Sequence, residues 1–224
     1  TPGSPLDQEA FRRATSVYLV DRVVPMLPEN LSNMVCSLRP KEDKLTYSAV
    51  FEMTPKGDIV EEWFGRTVIH SDHRFTYDEV QQIIEKGEGP FLREIQVLNG
   101  LALELREDRF RRGSIRFESE ELKFKLDENG KPLSVFIKER KDAHMLIEDF
   151  MLLANRRVAA HVAAMAGGQY NASFVYRVHD SPDMDRLRSF ARFVERFGYS
   201  ISTRSRKEIS QSFNQLVEDL DGKE

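Results

Sequence analysis

Between residues 45 and 53 the chain alternates: Leu45, Tyr47, Ala49, Phe51 and Met53 interleave with Thr46, Ser48, Val50 and Glu52. A period of two is the signature of a β-strand with two unlike faces. Thr54-Pro55-Lys56-Gly57 then supplies turn residues, and Ile59 to Ile69 reads as the returning strand. Such a hairpin commits part of the chain to antiparallel pairing. The same signal recurs: Ile115 to Leu126 and Leu133 to Lys138 flank Asp127-Glu128-Asn129-Gly130, and Asn-Gly is the strongest short-range hairpin signal.

Helical patterns surround these hairpins. Phe11, Ala14, Val17 and Tyr18 predict a helix over 6–21, ended by Pro25 and Pro28, and residues 29–35 read as a short helix. Thr76 followed by Glu79 is a capping-box pattern opening another. Longer helices are expected from Pro90 to Arg112 and from Ala143 to Ala166, the latter with an apolar face of Ile147, Phe150, Met151, Ala154, Val158 and Val162. A strand at Ser173 to Val178 and helices at Pro182 to Phe197 and Arg206 to Leu220 complete the reading, with loose packing expected after Ser200. Hairpins and helices without a regular strand–helix–strand alternation indicate an α+β fold, largely antiparallel strands packed against long helices.

Composition narrows the class. With 40% apolar and 31% charged residues among 224, a core and a hydrated surface are both available. The single cysteine, Cys36, cannot form an internal disulfide, which favours a reducing compartment such as the cytoplasm. No apolar run is long enough to span a bilayer, so no membrane partner is expected. A formal net charge of −4 is unlike that of a free-standing nucleic-acid binder. Local basic clusters (Arg109, Arg111, Arg112 and Arg116; Lys138, Arg140 and Lys141) either line a groove or form solvated faces.

The bare residues carry little metal chemistry. His70, Asp72 and His73 sit at a strand end without a second ligand cluster. Asp180, Asp183 and Asp185 flank Pro182 at a helix start, where acids meet the helix dipole, so capping is the reading rather than a divalent site. Glu148 and Asn155 lie two turns apart beside the apolar face of their helix. A carboxylate so placed either pairs with a buried donor or points into a cleft. Tyr18, Tyr77, Tyr176 and Phe117 are core residues or stacking platforms for bases.

Three blocks turn these readings into a resemblance. They are Arg12-Arg13-Ala14-Thr15-Ser16-Val17-Tyr18-Leu19 with Val24 to Pro28 and Cys36-Ser37-Leu38-Arg39-Pro40; Ala143-His144 with Ile147 to Asn155; and Phe174 to Asp180. In that order the chain resembles the catalytic domain of the RNB-family exoribonucleases, over about residues 2–200. The resemblance implies a processive, hydrolytic 3′→5′ exonuclease that takes the 3′ end of single-stranded RNA and releases nucleoside 5′-monophosphates with the help of magnesium. It implies that Tyr18 and Phe117 clamp the 3′-terminal base, that Glu148 contacts a ribose hydroxyl, and that Tyr77 bears on the choice of RNA over DNA.

The family's cluster of metal-binding aspartates matches no stretch here, nor does its Ile-Arg-Arg-Tyr-type segment. The expectation is therefore a partial RNB domain at 1–205 with a polar helix or tail at 206–224, holding RNA but binding no metal and cutting nothing alone. The alternatives are a catalytically inactive RNB-like module that grips RNA or protein, and a purely structural domain. Sheet edges opened by truncation are expected to favour dimers.

Overall fold

Ser4 starts the first helix. Its Oγ accepts from the Asp7 N–H at 3.3 Å, and Pro5 occupies the first turn, where no N–H partner is needed. In the computed structural model, which describes residues 1–116, 121–165, 174–178 and 180–220, α1 spans Pro5–Arg13. It stops well short of residue 21 because Ala14 turns left-handed (φ 60°) and its N–H closes back on Ala10. The Ser16 hydroxyl then accepts from the Met26 N–H at 2.9 Å, and Arg13 donates to the Pro25 carbonyl at 2.9 Å. Those ties draw the chain into a small antiparallel pair, β1 (Val17–Tyr18) with β2 (Val23–Val24). Tyr18 is thus a strand residue opposite Val23, not a helical one.

The chain divides into two units. The first comprises Thr1–Ser48, Gly65–Thr76 and Glu120–Arg140. Besides α1, β1 and β2 it holds a wide helical turn at Asn30–Val35, closed by an i→i+5 bond from the Cys36 N–H to the Leu31 carbonyl at 2.9 Å. It also holds the base of the hairpin formed by β3 (Asp43–Met53) and β4 (Ile59–His70). There Asp43 meets His70 Nδ1 at 2.8 Å, and the hydroxyls of Thr46 and Ser48 each lie 2.6 Å from that of Thr67. The second hairpin pairs β5 (Glu121–Leu126) with β6 (Pro132–Lys138). Its turn is held by Asp127 Oδ1, which accepts from the N–H groups of Asn129 and Lys131 at 2.9 Å each. Residues 115 and 116, expected to open this strand, have no regular structure, and 117–120 lie outside the described residues.

The second unit comprises Ala49–Phe64, Tyr77–Ser119 and Lys141–Glu224. Here α2 (Tyr77–Lys86), α3 (Leu92–Arg111) and α4 (Asp142–Met165) pack against one another pairwise. Ile83, Ile95, Ala102, Ala143, Leu146 and Leu153 are buried. Fully buried Ala102 keeps its helix surface small enough for close approach. The buried stripe of α4 runs through Ala143, Leu146, Asp149 and Leu153, while Ile147 and Met151 of the expected face are exposed. The tip of the first hairpin belongs to this unit. Phe64 packs edge-on against Phe51 and lies 4.4 Å from the His161 ring, and Arg157 Nε donates to Glu62 at 2.6 Å.

The final helices, α5 (Met184–Glu195) and α6 (Arg206–Leu220), form a core of Leu187, Val194, Ile201, Ile209 and Leu216. Each buried aliphatic side chain there contributes roughly 1.5–3 kcal/mol. Asn214 fastens α6 to the end of α3, accepting from the Arg116 N–H at 2.8 Å and donating to the Ser114 carbonyl at 2.9 Å. Residues 201–220 therefore contribute buried side chains to a packed core, contrary to their low apolar content. Residues 174–178 carry no strand, and Ser173 lies outside the described residues.

Candidate functional site

Asp149 sits on the buried stripe of α4, with a side chain only 2% exposed. A buried carboxylate needs a counter-ion and donors. Two arginines one turn apart on α3 supply both: Arg106 Nε donates to Oδ2 at 2.8 Å, and Arg109 Nη2 lies 3.1 Å from Oδ1. The second terminal nitrogen of Arg109 reaches Glu148 Oε1 at 3.4 Å. Glu148 itself stands at the rim, its side chain 37% exposed. Of the two sequence alternatives for Glu148, pairing is the one observed, with a partly buried arginine as its donor.

One turn before Glu148, His144 carries the third element. Its ring lies 4.3 Å from that of Tyr77, the planes 16° from parallel. Its Nδ1 accepts from the Lys141 N–H at 3.3 Å, so the proton of the neutral ring sits on Nε2. Residues four apart on a helix are neighbours on one face, with Cβ atoms about 5–6 Å apart. Tyr77 and Glu148 are therefore brought to the same face of α4 through His144. Gln81 on α2 fixes the start of α4 by accepting from the Ala143 N–H at 3.0 Å.

Tyr18 lies in the first unit, on β1, and is 80% exposed. Phe117, its expected partner across the terminal base, lies outside the described residues. The sequence marks Arg109 only as one of a basic cluster and His144 only as part of a resembling block; their contacts with Glu148 and Tyr77 span 39 and 67 residues, and no local pattern shows those contacts.

The basic cluster at the end of α3 is largely spoken for. Arg111 pairs with Glu107 and Asp108, Arg112 with Asp108 at 2.6 Å, and the Arg116 guanidinium lies over the Phe110 ring at 4.6 Å. Asp183 caps α5, accepting from the N–H groups of Asp185 at 2.9 Å and Arg186 at 3.1 Å. That is the capping role expected of it. Among the described residues no group of three or more His, Cys, Asp or Glu side chains is placed to hold a metal ion. No described helix is long and apolar enough to cross a membrane.

A family model described as "RNB domain" matches residues 1–224. Ribonuclease R 1 of Lactococcus lactis is 37% identical over 231 residues, covering 99% of this chain and 28% of that protein. The Arabidopsis thaliana protein named "Inactive exonuclease DIS3L2" is 35% identical over 235 residues, covering 98% of this chain and 22% of that protein. Among solved structures, Mycoplasma genitalium RNase R in complex with ribose-methylated single-stranded RNA superposes with a TM-score of 0.88 at 26% identity, covering 98% of this chain and 35% of that one. The chain thus spans well under half the length of each of these relatives.

Proposed function

We propose, because this chain belongs to the RNB domain family, that it forms the RNA-holding wall of a processive hydrolytic exoribonuclease that removes nucleoside 5′-monophosphates from the 3′ end of single-stranded RNA. The observation that carries the reading is the shared face of α4, where an aromatic pair, Tyr77 on His144, lies one helical turn from the half-exposed carboxylate of Glu148. A carboxylate accepts from a ribose 2′-hydroxyl, a donor that DNA lacks. Aromatic planes stack on bases irrespective of sequence. Tyr18, exposed on β1, is assigned to stacking on the terminal base.

The described residues do not fit a magnesium site, so no cutting step is assigned to them. In this proposal the metal-holding aspartates belong to other polypeptide of the parent, and the 1–205 region grips RNA without releasing mononucleotides. The proposed compartment is the reducing cytoplasm. Self-association through the open edges of the two-stranded sheets is part of the same proposal.

A second reading, an inactive RNB-like module that grips RNA or protein, is favoured by the 35% identity to a relative named as inactive. One experiment addresses both. Fluorescence anisotropy with a 5′-labelled oligoribonucleotide and its deoxy counterpart should show tighter binding of RNA, and the preference should shrink in Glu148→Gln. Under magnesium the pure chain should release no mononucleotide, whereas the full-length parent should. Equal binding of RNA and DNA would overturn the ribose reading, and a parent inert on single-stranded RNA would favour the module.

A further inference from the structure

We infer that Arg109 is a positioning residue for Glu148, setting where the carboxylate stands when it meets a ribose. The inference rests on the reading of Glu148 as the ribose contact. A glutamate at a helix rim ordinarily samples several rotamers. Here one planar guanidinium serves two neighbouring acids: Nη2 lies 3.1 Å from Asp149 Oδ1, and Nη1 lies 3.4 Å from Glu148 Oε1. Asp149 is immobile by burial, its side chain 2% exposed, and its other oxygen is held by Arg106 at 2.8 Å. The guanidinium is a rigid fork. Once one prong is fixed on Asp149, the direction of the other is fixed as well, and Glu148 takes its place from the interior of the helix pair.

A lysine at 109 would keep a positive charge for Asp149 but could not hold two acids in one plane. The chemistry therefore separates position from charge. Arg109→Lys should reduce the preference for an oligoribonucleotide over its deoxy counterpart by about five- to tenfold, comparable to the loss of one ordinary hydrogen bond. Its affinity for DNA should change little. In a Glu148→Gln background the same substitution should cause no further loss of preference, because the group it positions is already gone. If the lysine variant melts below the assay temperature, all proteins are compared at a lower temperature at which each is folded.

The measurement is anisotropy with both oligonucleotides on the full 224-residue chain, with melting temperature read alongside. A selective loss for RNA that vanishes in the Glu148→Gln background establishes the positioning role. Equal weakening for RNA and DNA, or an undiminished loss in that background, overturns it and leaves Arg109 a structural ion pair. An unchanged preference in Glu148→Gln alone removes the ribose reading and this inference with it.

Discussion

The imidazole of His144 lies face to face with the phenol ring of Tyr77, centroids 4.3 Å apart and planes 16° from parallel. Aromatic pairs of this kind contribute about 0.5–1.5 kcal/mol beyond the area they bury. His144→Ala should therefore destabilise the chain by about 1 kcal/mol in urea unfolding. His144→Phe, which keeps a ring but cannot accept from the Lys141 N–H, should recover most of it. Equal losses in the two variants would show that the hydrogen bond from the Lys141 N–H at the start of α4, not the stacking of α2 on α4, carries the contribution.

Removing Asp149 should be far more damaging than removing Glu148. Asp149→Ala leaves two guanidinium groups facing a buried gap, and breaking a buried pair from one side costs about 3–5 kcal/mol. Glu148→Gln at the rim should cost under about 1 kcal/mol. Chemical denaturation of both variants checks the ranking, which a cost for Glu148→Gln equal to that of Asp149→Ala would refute.

Acid should weaken the hairpin tip through Glu62. The hydrogen bond from Arg157 holds its carboxyl below the ordinary value of 4.5, aided by the charges of Arg157 and His161 and opposed by desolvation. Because the folded-state pKa is depressed, the stabilising contribution is fully present above the ordinary value and is lost as pH falls through the lower, folded one. The melting-temperature difference between wild type and Glu62→Gln should accordingly be largest near neutrality and close toward acid. A gap that widens at low pH would contradict the assignment.

Two glycines should respond in opposite directions to alanine. Gly100 lies within α3 with nothing within 4 Å of an added Cβ, so Gly100→Ala should stabilise by roughly 0.5–1 kcal/mol. Gly89 has φ +139°, and a Cβ there would stand 2.6 Å from Ile83 Cγ1, so Gly89→Ala should destabilise by more than about 1 kcal/mol. Thermal melts of the two variants give the signs.

The elements most legible in the sequence are those whose signals are local. Both hairpin turns and the long helices α3 and α4 follow from alternation, Gly-containing turns and helical periodicity, and their ends fall within a few residues of expectation. The end of α1 was hidden because it depends on Ala14 adopting a left-handed conformation and on hydrogen bonds to Pro25 and Met26. The face of α4 was misread by about a quarter turn because a buried acid lies on it. Leu146, Asp149 and Leu153 share the inward stripe, and a charged residue at a core spacing between two leucines was the available clue. Of the candidate site, Glu148 drew notice as a carboxylate beside an apolar face, Tyr77 as an aromatic and Arg109 as one of a basic cluster, but the pairings of Arg109 with Glu148 and of His144 with Tyr77 join distant segments that no local pattern links.

The Asp149 clasp also restricts how α4 can move. A helix bearing only aliphatic side chains can roll on its neighbour by exchanging one greasy contact for another. Rotating α4 here would strip a carboxylate from both its guanidinium partners, so α3 and α4 are coupled against rolling. Any rearrangement of this face must then carry the two helices together, so that the edge bearing Glu148 moves as a single preset surface.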